Sequence, residues 1–189
     1  FIRLRPILGN FLMESTGTSL TSLVKSAQQQ IDDMLKPINI IVDQKTKHLS
    51  ISGMVVKLPA KNFALYTLML KLRMTKYKSD NNEPGYILAE KIIEKDILFE
   101  YLEIYESMYK QGNIYVENER AKISNDKNRR MFFTLKWLQE TRSKINAMLK
   151  KNLTPQVFSI CLIQSSGNRN NTYYGIPIHS QNITITNQG

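Results

Sequence analysis

Cysteine is almost missing. The 189 residues hold one, Cys161, so no disulfide can close within the chain and no thiolate cluster can bind a metal. Histidine is scarce too. His48 and His179 stand far apart, each without a neighbouring carboxylate or second histidine of the kind a metal site or hydrolase needs. No apolar run reaches the roughly 18 residues that span a bilayer, and no secretory signal is visible. These absences predict a cytoplasmic protein with no membrane contact, no cofactor and no metal. Acids are outnumbered: 16 Asp and Glu face 26 Lys and Arg, a net charge of +10. Such an excess favours polyanionic partners and says nothing about fold.

What the sequence does hold is pattern. The stretch 48–72, HLSISGMVVKLPAKNFALYTLMLKL, opens in alternation. Leu49 and Ile51, then Val55, Val56 and Leu58, flank Ser52-Gly53, and predict two short strands around a tight turn. After Pro59 the period changes. Phe63, Leu65, Tyr66, Leu68, Met69, Leu70 and Leu72 predict a strongly apolar helix, which Pro59 can precede without losing a needed N–H. Ile38 to Val42 and the turn Asp43-Gln44-Lys45 add a third strand, making an antiparallel meander.

Before the meander, FIRLRPIL reads as a strand stopped by Pro6. Thr18 to Lys36 reads as a helix striped by Leu20, Leu23, Val24, Ala27, Ile31, Met34 and Leu35. Pro37 is the expected domain boundary, dividing 1–37 from 38–189. Because the chain opens on Phe1 directly in a strand-like segment, a missing N-terminal portion is the expectation.

Two stretches of opposite charge follow. A polar loop over 75–86 leads into a helix expected over Ile87 to Lys110, closed by Gly112. Glu83 to Glu106 carries seven acids against two bases, a balance of −5. Pairs such as Glu90/Glu94 and Glu100/Glu103 have helical spacing but no histidine partner, and read as a solvated face. Arg120 to Lys151 carries ten bases against Asp126 and Glu140, a balance of +8. After the cap cluster Ser124-Asn125-Asp126, a stripe of Met131, Leu135, Leu138, Ile145 and Leu149 predicts one long helix, with Arg129, Lys136, Lys144 and Lys151 opposite and Trp137 at the stripe's edge. Leu153-Thr154-Pro155 breaks it. Val157 to Ile163 reads as a strand, Ser165 to Asn171 as a turn with Arg169 at its tip, and Thr172 to Ile178 as the return; Asn182 to Thr186 is a last short strand.

The segment Val56 to Leu65 resembles the entry to a winged-helix domain of the response-regulator type. That family reads V-x-L, then a Thr or Pro, then a helix with F-x-L. The fold class expected is therefore α+β: a winged-helix-like domain with a three-stranded meander, three helices and a C-terminal hairpin. More of the chain resembles one group, the CRISPR-associated CARF-domain proteins described as ring nucleases or as relatives of type III effector ribonucleases. The matching residues are Phe1-Ile2-Arg3-Leu4-Arg5, Leu58-Pro59, Phe63-Ala64-Leu65-Tyr66, and Asn171-Thr172 with Tyr174-Gly175-Ile176. The resemblance implies that residues 1–37 are the tail of a Rossmann-like CARF domain and its connecting helix. It also implies that cyclic oligoadenylate is bound through the missing N-terminal domain, and that the protein acts in type III CRISPR antiviral defence. It carries no catalytic residue onto this chain, so no activity is expected in this segment even if the parent family cleaves cyclic oligoadenylate.

From the charge, the expected partner is DNA or RNA. Lys136 and Lys144 would contact phosphates, Asn128, Arg129 and Arg130 would reach base edges near the helix start, and Arg169 would sit on the wing. The alternative is a non-catalytic interaction domain, a homodimer in which Phe132, Phe133, Trp137 and the 18–36 helix are buried against a second subunit.

Overall fold

Ile40, Val42, Leu49 and Ile51 are at most 1 % exposed, while Ile41 and His48 between them face outward. That alternation makes one wall of the core. The computed structural model describes residues 24–25, 37–75, 85–168 and 171–187. The chain divides into two compact units, Phe1–Pro37 and Ile38–Gly189. In the first, Val24 and Lys25 are helical. The expected strand at 1–8, most of the expected helix at 18–36 and Arg169 lie outside the described residues.

In the second unit, β1 (Ile40–Asp43) and β2 (His48–Ile51) pair antiparallel. Their turn is held by Asp43, whose Oδ1 accepts from the Lys45 N–H at 3.1 Å. Ser52 (φ 48) and Gly53 (φ 80) both take the left-handed conformation a two-residue hairpin turn requires, and lead into β3 (Met54–Val55). Then α1 (Ala60–Met74) begins right after Pro59, whose carbonyl accepts from the Phe63 N–H at 2.8 Å. Ten of its residues are buried, including Asn62 and Thr67. With no wet face it runs through the core's centre, and the buried Tyr66 hydroxyl donates to the Cys161 carbonyl at 2.8 Å.

The next stretch differs from the single helix expected over 87–110. It forms β4 (Tyr86–Leu88), α2 (Ala89–Ile92) and α3 (Lys95–Ser107). Pairing wins over helical period at its start, because Ile87 lies opposite Tyr174 in a sheet. Glu94, extended at ψ 154, interrupts the helix and accepts from the Leu98 N–H as α3 begins. Gly112 lies beyond the end of α3 with φ 77.

The long basic helix expected after the Ser124-Asn125-Asp126 cluster is two helices, and a further helix not expected there, α4 (Ile114–Ser124), precedes them; the two are α5 (Asp126–Phe132) and α6 (Leu135–Asn152). Each restart has its own cap. Asn125 Oδ1 accepts from the Asn128 N–H at 3.0 Å, and Thr134 Oγ1 accepts from the Trp137 N–H at 3.1 Å. Between them Phe133 turns inward and is 3 % exposed.

Residues 157–163 were expected as a strand and are mostly helix, α7 (Pro155–Cys161). Thr154 at the N-cap and Pro155 in the first turn start a helix there, and outweigh the β-branched character of Val157 and Ile160. The hairpin is tighter than expected. Its strands β5 (Gln164–Asn168) and β6 (Asn171–Gly175) run through most of the segment read as a turn. A 3₁₀ turn at Ser180–Asn182 leads to β7 (Ile183–Thr186).

Two sheets result, in orders β3-β2-β1-β7, with β7 parallel to β1, and β4-β6-β5. A side chain at Gly175 would collide with Tyr86 and the Gly85 carbonyl, both under 3 Å away, so glycine is what lets β6 lie against β4. The fold class is α+β, as expected. The described residues of the second unit hold seven α-helices, where three were expected.

Candidate nucleic-acid interface

α6 buries Leu138, Thr141, Ile145 and Leu149, a stripe at 3- and 4-residue spacing. The opposite arc is exposed and holds Lys136, Gln139, Glu140, Ser143, Lys144, Ala147, Lys150 and Lys151. Four lysines thus share a face with one carboxylate. Glu140 is also the last acid in the sequence: residues 141–189 hold five bases and no Asp or Glu.

One flank of α6 is fastened to the hairpin segment. The Asn146 amide donates to the Ile163 carbonyl at 2.9 Å, and its Oδ1 accepts from the Ile163 N–H at 2.9 Å. One turn earlier, the Arg142 guanidinium lies over the Tyr174 ring, 5.0 Å from its centroid. Helix and hairpin therefore form one continuous surface. The other flank is aromatic: Trp137 meets Phe133 edge-on at 4.8 Å and Tyr101 at 6.1 Å.

Lys136 and Lys144 stand on the exposed arc of α6, as helical phase places them. Arg130 is exposed on α5, a separate helix, and Asn128 is half-buried there. Arg129 is engaged inside the fold. Its side chain is 17 % exposed, one terminal N–H donates to the Ile93 carbonyl at 3.1 Å, and its Nε lies 3.7 Å from Asp126 Oδ1, too long for a hydrogen bond. The break at 133–134 resets the phase, so Arg129 does not share the face of Lys136. The residues added by the structure are Arg142, Lys150 and Gln139. The sequence signal for Lys150 and Gln139 was the phase of α6 counted from its own start; the place of Arg142 depends on Tyr174, far along the chain.

A second charged cluster is structural. Glu119, its side chain 5 % exposed, accepts from Lys61 Nζ at 2.7 Å and Lys122 Nζ at 3.2 Å, tying α4 to the start of α1. Nearby, burial first and the Glu119 charge second push the Tyr101 hydroxyl well above its ordinary pKa. The acids Glu90, Glu94, Glu100 and Glu103 are all exposed, as a solvated face would be. A cleft of about 470 Å³ beside β2 and β3 mixes Asp43, Lys47, His48 and Lys57 with apolar walls. Among the described residues no three His, Cys, Asp or Glu side chains gather as metal ligands would, and no helix is long and apolar enough to cross a membrane. No protein-family model, no curated protein and no solved structure matches this chain.

Proposed function

We propose that this chain carries a winged-helix-like nucleic-acid-binding module, with α6 as the helix laid along the nucleic acid and the β5–β6 hairpin as its wing. The observation that carries the reading is the lysine arc of α6 fastened to a hairpin segment that has no acid. An 18-residue helix is about 27 Å long and fits a B-DNA major groove roughly 12 Å wide. Lys136, Lys144, Lys150 and Lys151 supply the sequence-independent phosphate term, and Gln139 and Ser143, on the same arc, have the donors and acceptors to meet base edges. The motif resemblance extends the proposal. The module would be the C-terminal output part of a type III CRISPR accessory protein, responding to cyclic oligoadenylate bound by a CARF domain whose tail is residues 1–37.

A second reading has its own observation. Met131, Phe132 and Leu135 are 64 %, 42 % and 39 % exposed at the α5–α6 junction, an apolar patch suited to a homodimer interface. Fluorescence anisotropy with labelled duplex DNA and single-stranded RNA, at low and physiological salt, separates the two. Binding that weakens with salt and is lost in Lys136→Glu/Lys144→Glu supports the module. No binding, with a dimer by light scattering, leaves an assembly domain.

A further inference from the structure

Arg142 stands apart from the other bases of α6. It is half-buried, and its Nε is shielded from solvent with no hydrogen-bond partner. Among the described residues no carboxylate pairs with it. Its platform, Tyr174, is 3 % exposed and sits in β6, the central strand of its sheet, paired with Ile87 on one side and Ser165 on the other. A cation held on a buried ring, at the line where helix and hairpin meet, costs the fold desolvation, and among the described residues the Tyr174 ring offsets it with no carboxylate to help.

We infer that Arg142 is the anchoring phosphate contact of this surface: the Tyr174 ring holds the guanidinium in place so that its terminal N–H groups meet a nucleic-acid phosphodiester at the seam between α6 and the hairpin. This rests on the nucleic-acid reading above. A planar fork meets two phosphate oxygens at once, which a lysine cannot do, and the lysine arc beside it favours a polyanion over a single carboxylate. Neighbours agree. Gln139 and Asn146 lie one turn to either side of Arg142 on the same flank, and Lys150 follows Asn146 by another. The flexible lysines of the arc then add charge around a fixed point, and the fixed point sets the register of helix against backbone.

The test is anisotropy of the full chain with duplex DNA between about 50 and 200 mM salt, for wild type, Arg142→Gln and Arg142→Lys. Losing one phosphate contact lowers the slope of log affinity against log salt by about 0.9 in Arg142→Gln. A role confined to packing leaves that slope alone. Arg142→Lys keeps the charge and loses the fork, so it holds the wild-type slope with several-fold weaker binding. If Arg142→Gln fails to fold, shown by its melting curve, Arg142→Lys decides alone: wild-type affinity in that variant overturns the inference. A wild-type slope in folded Arg142→Gln also overturns it, while binding still lost in Lys136→Glu/Lys144→Glu leaves the module standing. A wild-type chain that does not bind sinks both.

Discussion

α1 and α6 are helices of similar length, 15 and 18 residues, put to opposite uses. α1 buries ten residues around its whole circumference, and α6 buries four along one stripe. The first has no side left to offer a partner. Its side chains tie it to two segments in the C-terminal part of the second unit, through Tyr66 to Cys161 and through Arg73 to the Ile178 carbonyl at 2.7 Å. The second is fixed by a narrow seam and two side-chain clamps, and leaves a broad arc wet. A helix that is apolar all round specifies the fold. A helix with a thin stripe has freedom in the rest of its surface, and here that freedom is filled with lysine.

The contrast predicts where the chain is fragile. Phe63, 1 % exposed near the start of α1, leaves a core cavity when truncated. Phe63→Ala should cost about 3–5 kcal/mol in urea denaturation. A loss under about 1 kcal/mol would mean that α1 can reseat, and that the core is looser than its burial indicates. The α1–α7 contact should also fail in alkali. Burial pushes the Cys161 thiol up to about 12, and burial, then the nearby Cys161, raises the Tyr66 hydroxyl well above 10. Both groups hold their protons more tightly folded than unfolded. Stability is therefore complete below pH ~8.5 and falls as pH rises toward 12, by up to ~1.4 kcal/mol per pH unit for each such group. Urea midpoints at pH 7 and pH 10 check this; equal midpoints would show that these groups are not buried as described.

The same contrast explains what could be read from the residues alone. The meander and α1 were legible because their signals are local: a β-branched run over Ile38 to Val42, alternation from His48 onward, then Pro59 and a solid apolar run. β4 was not, because three residues become a strand only through β6, far along the chain. α7 was missed for a different reason. Short apolar runs such as VFSIC fit strand or helix, and Thr154-Pro155, read as the end of one helix, was the start of the next. The stripe through Met131, Leu135 and Leu138 hid the break at 133–134; two of its members, Met131 and Leu135, turned out exposed. Of the site, Lys136 and Lys144 followed from phase within one helix. The fate of Arg129 depended on the Ile93 carbonyl, and the contact of the Arg142 guanidinium with the Tyr174 ring joined two distant segments, so neither had a local signature.

The seam itself offers a prediction of middle size. Asn146→Ala would strand the N–H and C=O of Ile163, a residue 2 % exposed, and should cost about 1–3 kcal/mol. Hydrogen exchange should quicken at Ile163 and along β5 before it does in α1. Uniform quickening would mean the hairpin and the core open together, and that the two helices are not as separate in role as their burial makes them.

The smallest expected effect is the one that sharpens the comparison most. Lys136 and Lys144 are exposed and make no ion pair among the described residues, so Lys136→Glu/Lys144→Glu should change unfolding free energy by less than about 0.5 kcal/mol per site. Relief of crowding among four lysines and the new charges near Glu140 pull in opposite directions, which keeps the net change small. A stable variant that no longer binds nucleic acid would assign the loss to the surface of α6. If the variant melts much earlier than the wild type, the lysine arc is supporting the fold, and α6 belongs with α1 as a structural helix.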